Sequence, residues 1–154
     1  MLEPRRLQYF VNGEFLTSKT DKWMPVTNSS TGEVMAQAPC CTASEVNDAV
    51  EAAAAAFPAW SAKPVAVRTQ VMYKWKPLLE AHMDELATLL AMEVGKNLDE
   101  SRGEIIKIVE AVELACAAPM MLMGDSLMNV AADHDTVLYR EPLGAFVGIV
   151  PFNV

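Results

Sequence analysis

Histidine, cysteine and basic charge are scarce in this 154-residue chain, and each scarcity removes a class of function. The two histidines, His82 and His134, are far apart in sequence and the three cysteines include no CxxC pair, so no metal site is expected. Cys40 and Cys41 are adjacent, which strains any bridge between them, and Cys116 falls on a helical pattern; a disulfide framework is not expected either. Lysine and arginine number 12 against 20 acidic residues, a net charge of −8. A nucleic-acid-binding protein needs a basic stripe for the phosphates, and none is present, so nucleic acid is not an expected partner. The longest apolar run near the C-terminus, residues 144–152, is too short to span a bilayer, so no membrane segment is expected. Arg5 and Arg6 have no apolar stretch behind them, which argues against a secretory signal. The expected location is cytoplasmic, with the mitochondrial matrix as the alternative. Also missing are GxGxxG, P-loop, GxSxG and HExxH motifs.

What is present is apolar enough to fold: 52% of residues are hydrophobic, so the chain is not a disordered tail. The first forty residues read as strands and turns. Segments 7–11 and 14–17 flank Asn12-Gly13, the dipeptide that most readily adopts the positive φ angles of a two-residue hairpin turn. Segments 23–26 and 33–37 flank the turn-rich stretch from Asn28 to Gly32. Asn28-Ser29-Ser30 matches a glycosylation acceptor, but in a chain read as lacking a signal it is taken as a turn. Lone hairpins are marginal in water, so both should lie on something else.

Helices follow. Thr42 with Glu45 is a capping box, and Val46, Ala49, Val50, Ala53 and Phe57 keep the i, i+3, i+4 rhythm of a buried stripe that Pro58 should end. A second helix is predicted over 65–94, burying Val71, Trp75, Leu78, Leu79, Leu86 and Leu90. Pro77 should kink it, at about 3 kcal/mol, and Gly95 should cap it. Asn97 with Glu100 opens a third helix carrying Ile105, Val109, Val112 and Cys116, which should fray at Pro119. Beyond Gly124, segments 127–130 and 136–141 are of strand length around the turn Asp133-His134-Asp135. Residues 145–150 form a continuous β-rich apolar run suited to a strand buried on both faces of a parallel sheet.

Residues alone say little about chemistry. Glu100, Glu104, Glu110 and Glu113 on the third helix could serve as acids or bases, but the simpler reading is a solvated face. Cys116, flanked by Ala115 and Ala117, reads as a small hydrophobe without the basic neighbour a reactive thiolate needs. Met120, Met121, Met123 and Met128 read as adaptable packing.

Taken in order, several motifs carry more. Phe10-Val11-Asn12-Gly13-Glu14, then Asn28…Thr31-Gly32-Glu33-Val34, then Ala56-Phe57-Pro58-Ala59-Trp60, Arg68 and Glu93-Val94-Gly95-Lys96 are followed by Arg140-Glu141-Pro142-Leu143-Gly144 and Gly148-Ile149-Val150-Pro151-Phe152-Asn153. This collinear series resembles the N-terminal part of the aldehyde dehydrogenase superfamily. Residues 112–116 and 121–127, with Phe152 where hydrolytic members carry Trp, are most similar to the CoA-acylating methylmalonate-semialdehyde dehydrogenases.

The resemblance implies an α/β fold: β-hairpins and three long helices in residues 1–123, part of an oligomerisation arm in 124–142, and the first strand of an incomplete Rossmann-like sheet in 143–154. It also implies NAD as cofactor, coenzyme A as co-substrate, a small semialdehyde as substrate and a homo-oligomer. In such enzymes a cysteine attacks the aldehyde, hydride passes to NAD, and the thioester passes to CoA after loss of CO₂. Asn153 matches the asparagine that stabilises the oxyanion. Ile149, Val150, Pro151 and Phe152 match positions lining the nicotinamide end of NAD. Lys107 stands where the subfamily has an arginine facing the substrate carboxylate, keeping the charge without the bidentate fork. None of the three cysteines matches the nucleophile, and the general-base glutamate is not matched either, so the chain by itself is expected to be inactive. The alternative expectation is a truncated relict or interaction module, suggested by Val154 after Asn153 and by Pro77 where the family helix is uninterrupted.

Overall fold

In the computed structural model, residues 4–150 are described. The N-terminal part is two small sheets. Asn12 (φ 53°) and Gly13 (φ 87°) take the left-handed conformations of the expected tight turn, which pairs β2 (Tyr9–Val11) antiparallel with β3 (Glu14–Leu16). Phe10 and Phe15 face each other across this hairpin in an edge-on pair, centroids 4.9 Å apart. The second hairpin, β4 (Trp23–Thr27) with β5 (Val34–Pro39), also forms as expected. It gains a strand that the pattern did not reveal: β1 (Arg5–Arg6) pairs parallel with β5, giving the order β1-β5-β4. A two-residue strand has no readable alternation. What holds it includes the Arg6 guanidinium, 4.8 Å from the centre of the Trp23 ring.

The first long helix, α1 (Ala43–Ser61), starts at the expected cap. The Glu45 N–H donates to Thr42 Oγ1 at 3.3 Å, and the Thr42 N–H donates back to Glu45 Oε2 at 2.7 Å. The carboxylate does more than close the box. It also accepts the Ser18 hydroxyl at 2.8 Å and the Lys19 N–H at 2.7 Å, so it ties the strand connection to the helix start. Glu45 and Ser18 are both buried. The Lys19 and Thr42 amides, aided by the two hydroxyls, outweigh the cost of burial and lower the Glu45 pKa from 4.5 to about 2.

Three expectations about the helices need correction. Pro58 does not end α1; the helix continues to Ser61, with the Ala62 N–H on the Pro58 carbonyl at 3.2 Å. Proline removes the bond made by its own nitrogen and leaves its carbonyl free to accept. The expected 65–94 helix is three pieces, α2 (Val65–Arg68), α3 (Gln70–Ala81) and α4 (Met83–Val94), interrupted at Thr69 and His82 rather than at Pro77. The buried side is as expected at Leu79, with Leu86 and Leu90 half-buried, but the rest of the expected stripe is not covered. Val71, Trp75, Leu78, Val46 and Val50 are largely exposed, while Leu79, Val109 and Val112 form a core with Met72 and Leu86 packed on it. Several faces satisfy a helical period in these alanine- and leucine-rich segments; which one is buried depends on the partner helix.

That partner is α5 (Leu98–Cys116), against which α3 and α4 both pack. Asn97 caps it, accepting the Glu100 N–H at 2.9 Å, and Ile105, Val109 and Val112 are buried as expected. Ala87 on α4 and Ser101 on α5 are fully buried, small side chains in the most enclosed positions. Ala117 interrupts the helix, and Pro119 lies in the short α6 (Ala118–Met121).

Gly95 joins these layers. It ends α4 at φ 80°, and a Cβ there would meet the Ser29 Cβ at 3.1 Å. Ser29 in turn donates its N–H to the Met92 carbonyl at 3.0 Å and its hydroxyl to the Glu93 carbonyl, docking the β4–β5 turn on the helix end. That turn is the glycosylation-like stretch, and its Asn28 Oδ1 is used internally by the Ser30 and Thr31 amides.

β6 (Ser126–Ala131) and β7 (His134–Val137) form an exposed hairpin, with Asp133 (φ 62°) in the turn one residue earlier than expected. Gly124 lets its base close: a Cβ there would collide with the Leu138 carbonyl. Residues 145–150, expected as a strand, form no ladder. A strand needs a neighbour for its amides and carbonyls, and among the described residues none lies beside this run.

Two outcomes follow from this packing. Gly95→Ala should lower stability by about 1–2 kcal/mol from the left-handed backbone alone, and further through Ser29. Chemical denaturation showing unchanged stability would refute both contacts. Glu45 has a folded pKa below its ordinary value, so its stabilisation is complete above about pH 4.5 and is lost as pH falls toward about 2. Melting temperatures of the parent and Glu45→Gln should therefore differ at neutral pH and converge over that acid window; a constant gap would count against this role.

Candidate active site

The residues predicted to contact cofactor or substrate fall in two places. Ile149 and Val150 are 97% and 82% exposed at the end of the described chain, while Pro151, Phe152 and Asn153 lie outside the described residues. Lys107 sits on α5, off the buried Ile105–Val109–Val112 side, with its Nζ 2.8 Å from Glu110 Oε2. Its partner is thus a residue one turn along its own helix, and the described contacts do not join it to Ile149 or Val150.

Between the first hairpin, α1 and residues 145–147 lies a largely apolar cleft of about 410 Å³. Residues 145–147 form one wall; Tyr9 to Val11 of the first hairpin and the Val46, Ala49, Val50 and Ala53 side of α1 form the others. The stripe expected to be buried on α1 is therefore the lining of an open groove. Glu45 and Cys41 reach its rim. Partial burial, and then the nearby acidic groups led by Glu45, push the Tyr9 phenol above its ordinary pKa.

Other chemically capable groups are spread over the fold. Cys40 is exposed, Cys41 and Cys116 are half-buried, and all three are free. Among the described residues, no group of three or more His, Cys, Asp or Glu could hold a metal. On α5, Glu110 pairs with Lys107, and Glu113 lies 3.1 Å from Lys76, which also meets Glu80 at 2.9 Å. The hydrogen bonds that the Lys76 ammonium donates to Glu80 and then to Glu113 raise its pKa. Arg102 bridges Asp84 at 2.8 Å and Asp99 at 3.0 Å, bonds that likewise raise its pKa. These are features of a solvated face, as the sequence suggested.

Glu104 is the exception. Its side chain is only 12% exposed and faces Lys96, fixing the residue after Gly95 to α5. Sequence reasoning missed this pair because its partners are eight residues apart across a helix boundary. The buried Ser18–Glu45 bond was missed for a similar reason: 27 residues separate its ends.

Comparison with known proteins identifies the fold. The aldehyde dehydrogenase family pattern matches residues 15–154. A malonate-semialdehyde dehydrogenase of Listeria monocytogenes serotype 4a is 44% identical over 99% of this chain, and one of Bacillus subtilis strain 168 is 42% identical over the same share. In both cases the match spans 31% of the relative, so the chain covers about a third of the length of these enzymes. Among solved structures, a Sinorhizobium meliloti 1021 protein designated a methylmalonate-semialdehyde dehydrogenase, crystallised with NAD, superposes with a TM-score of 0.93 at 29% identity, covering 99% of this chain and 31% of that one. The methylmalonate-semialdehyde dehydrogenase of Oceanimonas doudoroffii gives 0.85 at 33% identity, over 90% and 28%. The family pattern covers residues 15–154 and the fold superposes on these structures along nearly its whole length, and the chain belongs to the aldehyde dehydrogenase family.

Proposed function

We propose that this chain is the N-terminal portion of an NAD-dependent, CoA-acylating methylmalonate- or malonate-semialdehyde dehydrogenase. The observation that carries this reading is the 44% identity to a malonate-semialdehyde dehydrogenase across 99% of the chain. In the proposed enzyme the semialdehyde is oxidised and decarboxylated to acetyl-CoA or propionyl-CoA, and NAD supplies the hydride acceptor.

The described residues fit the cofactor as one apolar wall. Ile149 and Val150 are exposed and unpaired, free to lie against a flat ring, and we assign Pro151 and Phe152 to the same wall. Strand C-terminal ends are where α/β sheets hold such ligands, which supports placing the run 143–154 in a Rossmann-like sheet of the longer protein. Asn153 is assigned to the oxyanion: its amide N–H donates to the oxygen on which charge develops, an interaction worth about 3 kcal/mol in comparable sites. Lys107 is assigned to the substrate carboxylate. Its exposed pair with Glu110 is readily exchanged, and a lysine offers a point charge rather than a fork.

The remaining machinery is assigned to sequence beyond these 154 residues, because none of Cys40, Cys41 or Cys116 matches the family nucleophile. The bacterial origin of the curated relatives favours the cytoplasm over a mitochondrial matrix. A second reading, a relict or interaction module that pairs with another subunit without catalysis, draws on the exposed β6–β7 hairpin with its unpaired edges.

Two measurements test these readings. The purified 154-residue chain, given malonate semialdehyde, NAD and CoA, should form no NADH; formation of NADH would overturn the assignment of the nucleophile elsewhere. Denaturing mass spectrometry of the endogenous protein should find a species several times heavier than 16.8 kDa, in which Asn153→Ala lowers kcat by about 10²–10³-fold. A species at 16.8 kDa would favour the non-catalytic reading.

A further inference from the structure

The chain has six asparagines, and the fold treats them differently. Asn28 Oδ1 accepts the Ser30 and Thr31 amides, and the N–H that follows it, on Ser29, is held by the Met92 carbonyl. Asn47 is followed by Asp48, whose N–H lies inside the α1 ladder. Asn97 caps α5 through its side-chain oxygen. Asn129 is followed by the β-branched Val130, and its own N–H is held by Asp135. Asn153 lies outside the described residues.

Asn12 differs on every count. It is exposed at a hairpin tip and takes part in none of the side-chain hydrogen bonds of the described residues. It is followed by glycine, so no side chain shields the next nitrogen, and the Gly13 N–H is not among the backbone donors held in turns and loops. A Cβ at Gly13 would meet nothing within 4 Å, so the space beside that nitrogen is open. The hairpin that holds the tip has three residues in each strand, a size that is marginal alone and opens at little cost.

We propose that Asn12-Gly13 is a site of spontaneous deamidation in the folded chain. The Gly13 nitrogen attacks the Asn12 side-chain carbonyl carbon, forming a C–N bond. The bond from that carbon to the amide nitrogen breaks, and the nitrogen leaves as ammonia with the proton from Gly13. Water then opens the resulting five-membered imide. Attack at the side-chain carbonyl gives aspartate, and attack at the main-chain carbonyl gives β-linked isoaspartate. The isoaspartyl product inserts a carbon into a two-residue turn whose left-handed angles set the Val11–Glu14 register, so it dismantles the hairpin tip and the Phe10–Phe15 pair. Either product adds one negative charge to a chain already at −8.

The test is peptide mapping by mass spectrometry of the full chain incubated folded, in mildly alkaline buffer, beside the same chain in urea. The peptide containing Asn12 should gain one mass unit in the folded sample and split into aspartyl and isoaspartyl forms. Its rate should be at least about tenfold above those at Asn28, Asn97 and Asn129, whose turns or caps must open first. In urea the differences set by the fold should narrow. If Asn12 converts in urea but not in the folded chain, or if another asparagine converts first when folded, the proposal is overturned.

Discussion

The Glu45 carboxylate is where the two halves of the described architecture meet. It closes the cap of α1, and it accepts from Ser18 and Lys19 on the connection between the two N-terminal sheets. A buried carboxylate without such donors would be costly. Here the amides and hydroxyls around it replace water, and the group remains ionised to about pH 2. Small hairpins have little independent stability, so their placement depends on a few strong bonds of this kind. The Ser29 contacts at the end of α4 act in the same way, docking the other turn.

Against these polar ties, the apolar core among the described residues is modest. Leu79, Val109 and Val112 form its centre, while Val46 and Val50 on α1 and Phe146, Val147, Ile149 and Val150 near the C-terminus lie open. Each square ångström of apolar surface left in water forgoes about 25 cal/mol of stabilisation. Part of the exposed apolar surface lines the groove between α1 and residues 145–147, and more lies on α3 and on the β6–β7 hairpin.

Local chemistry made much of this legible in advance. Asn12-Gly13 demanded a left-handed turn, Thr42 with Glu45 demanded a helix start, and Gly95 demanded a helix end; the structure has all three. Pro58 misled, because a proline constrains the turn before it while the helix end depends on what lies beyond. β1 and the Lys96–Glu104 and Ser18–Glu45 pairs were invisible, since no local pattern encodes a partner chosen from a distant segment. For the candidate site the motif series pointed to family and position. The geometry describes Ile149, Val150 and Lys107, but the last residues of the motif lie outside the described structure.

Taken alone, then, the sequence determined the caps, the tight turns and the family, because each rests on residue types within a few positions of one another. Which helix face became core and which became groove was decided only by tertiary structure. Val71, Trp75 and Leu78 fit a helical period as well as Met72, Leu79 and Leu86 do, and α5 covers the second set. The strand character of residues 145–150 was equally dependent on company, for an apolar run becomes a strand only when a neighbour takes up its backbone hydrogen bonds.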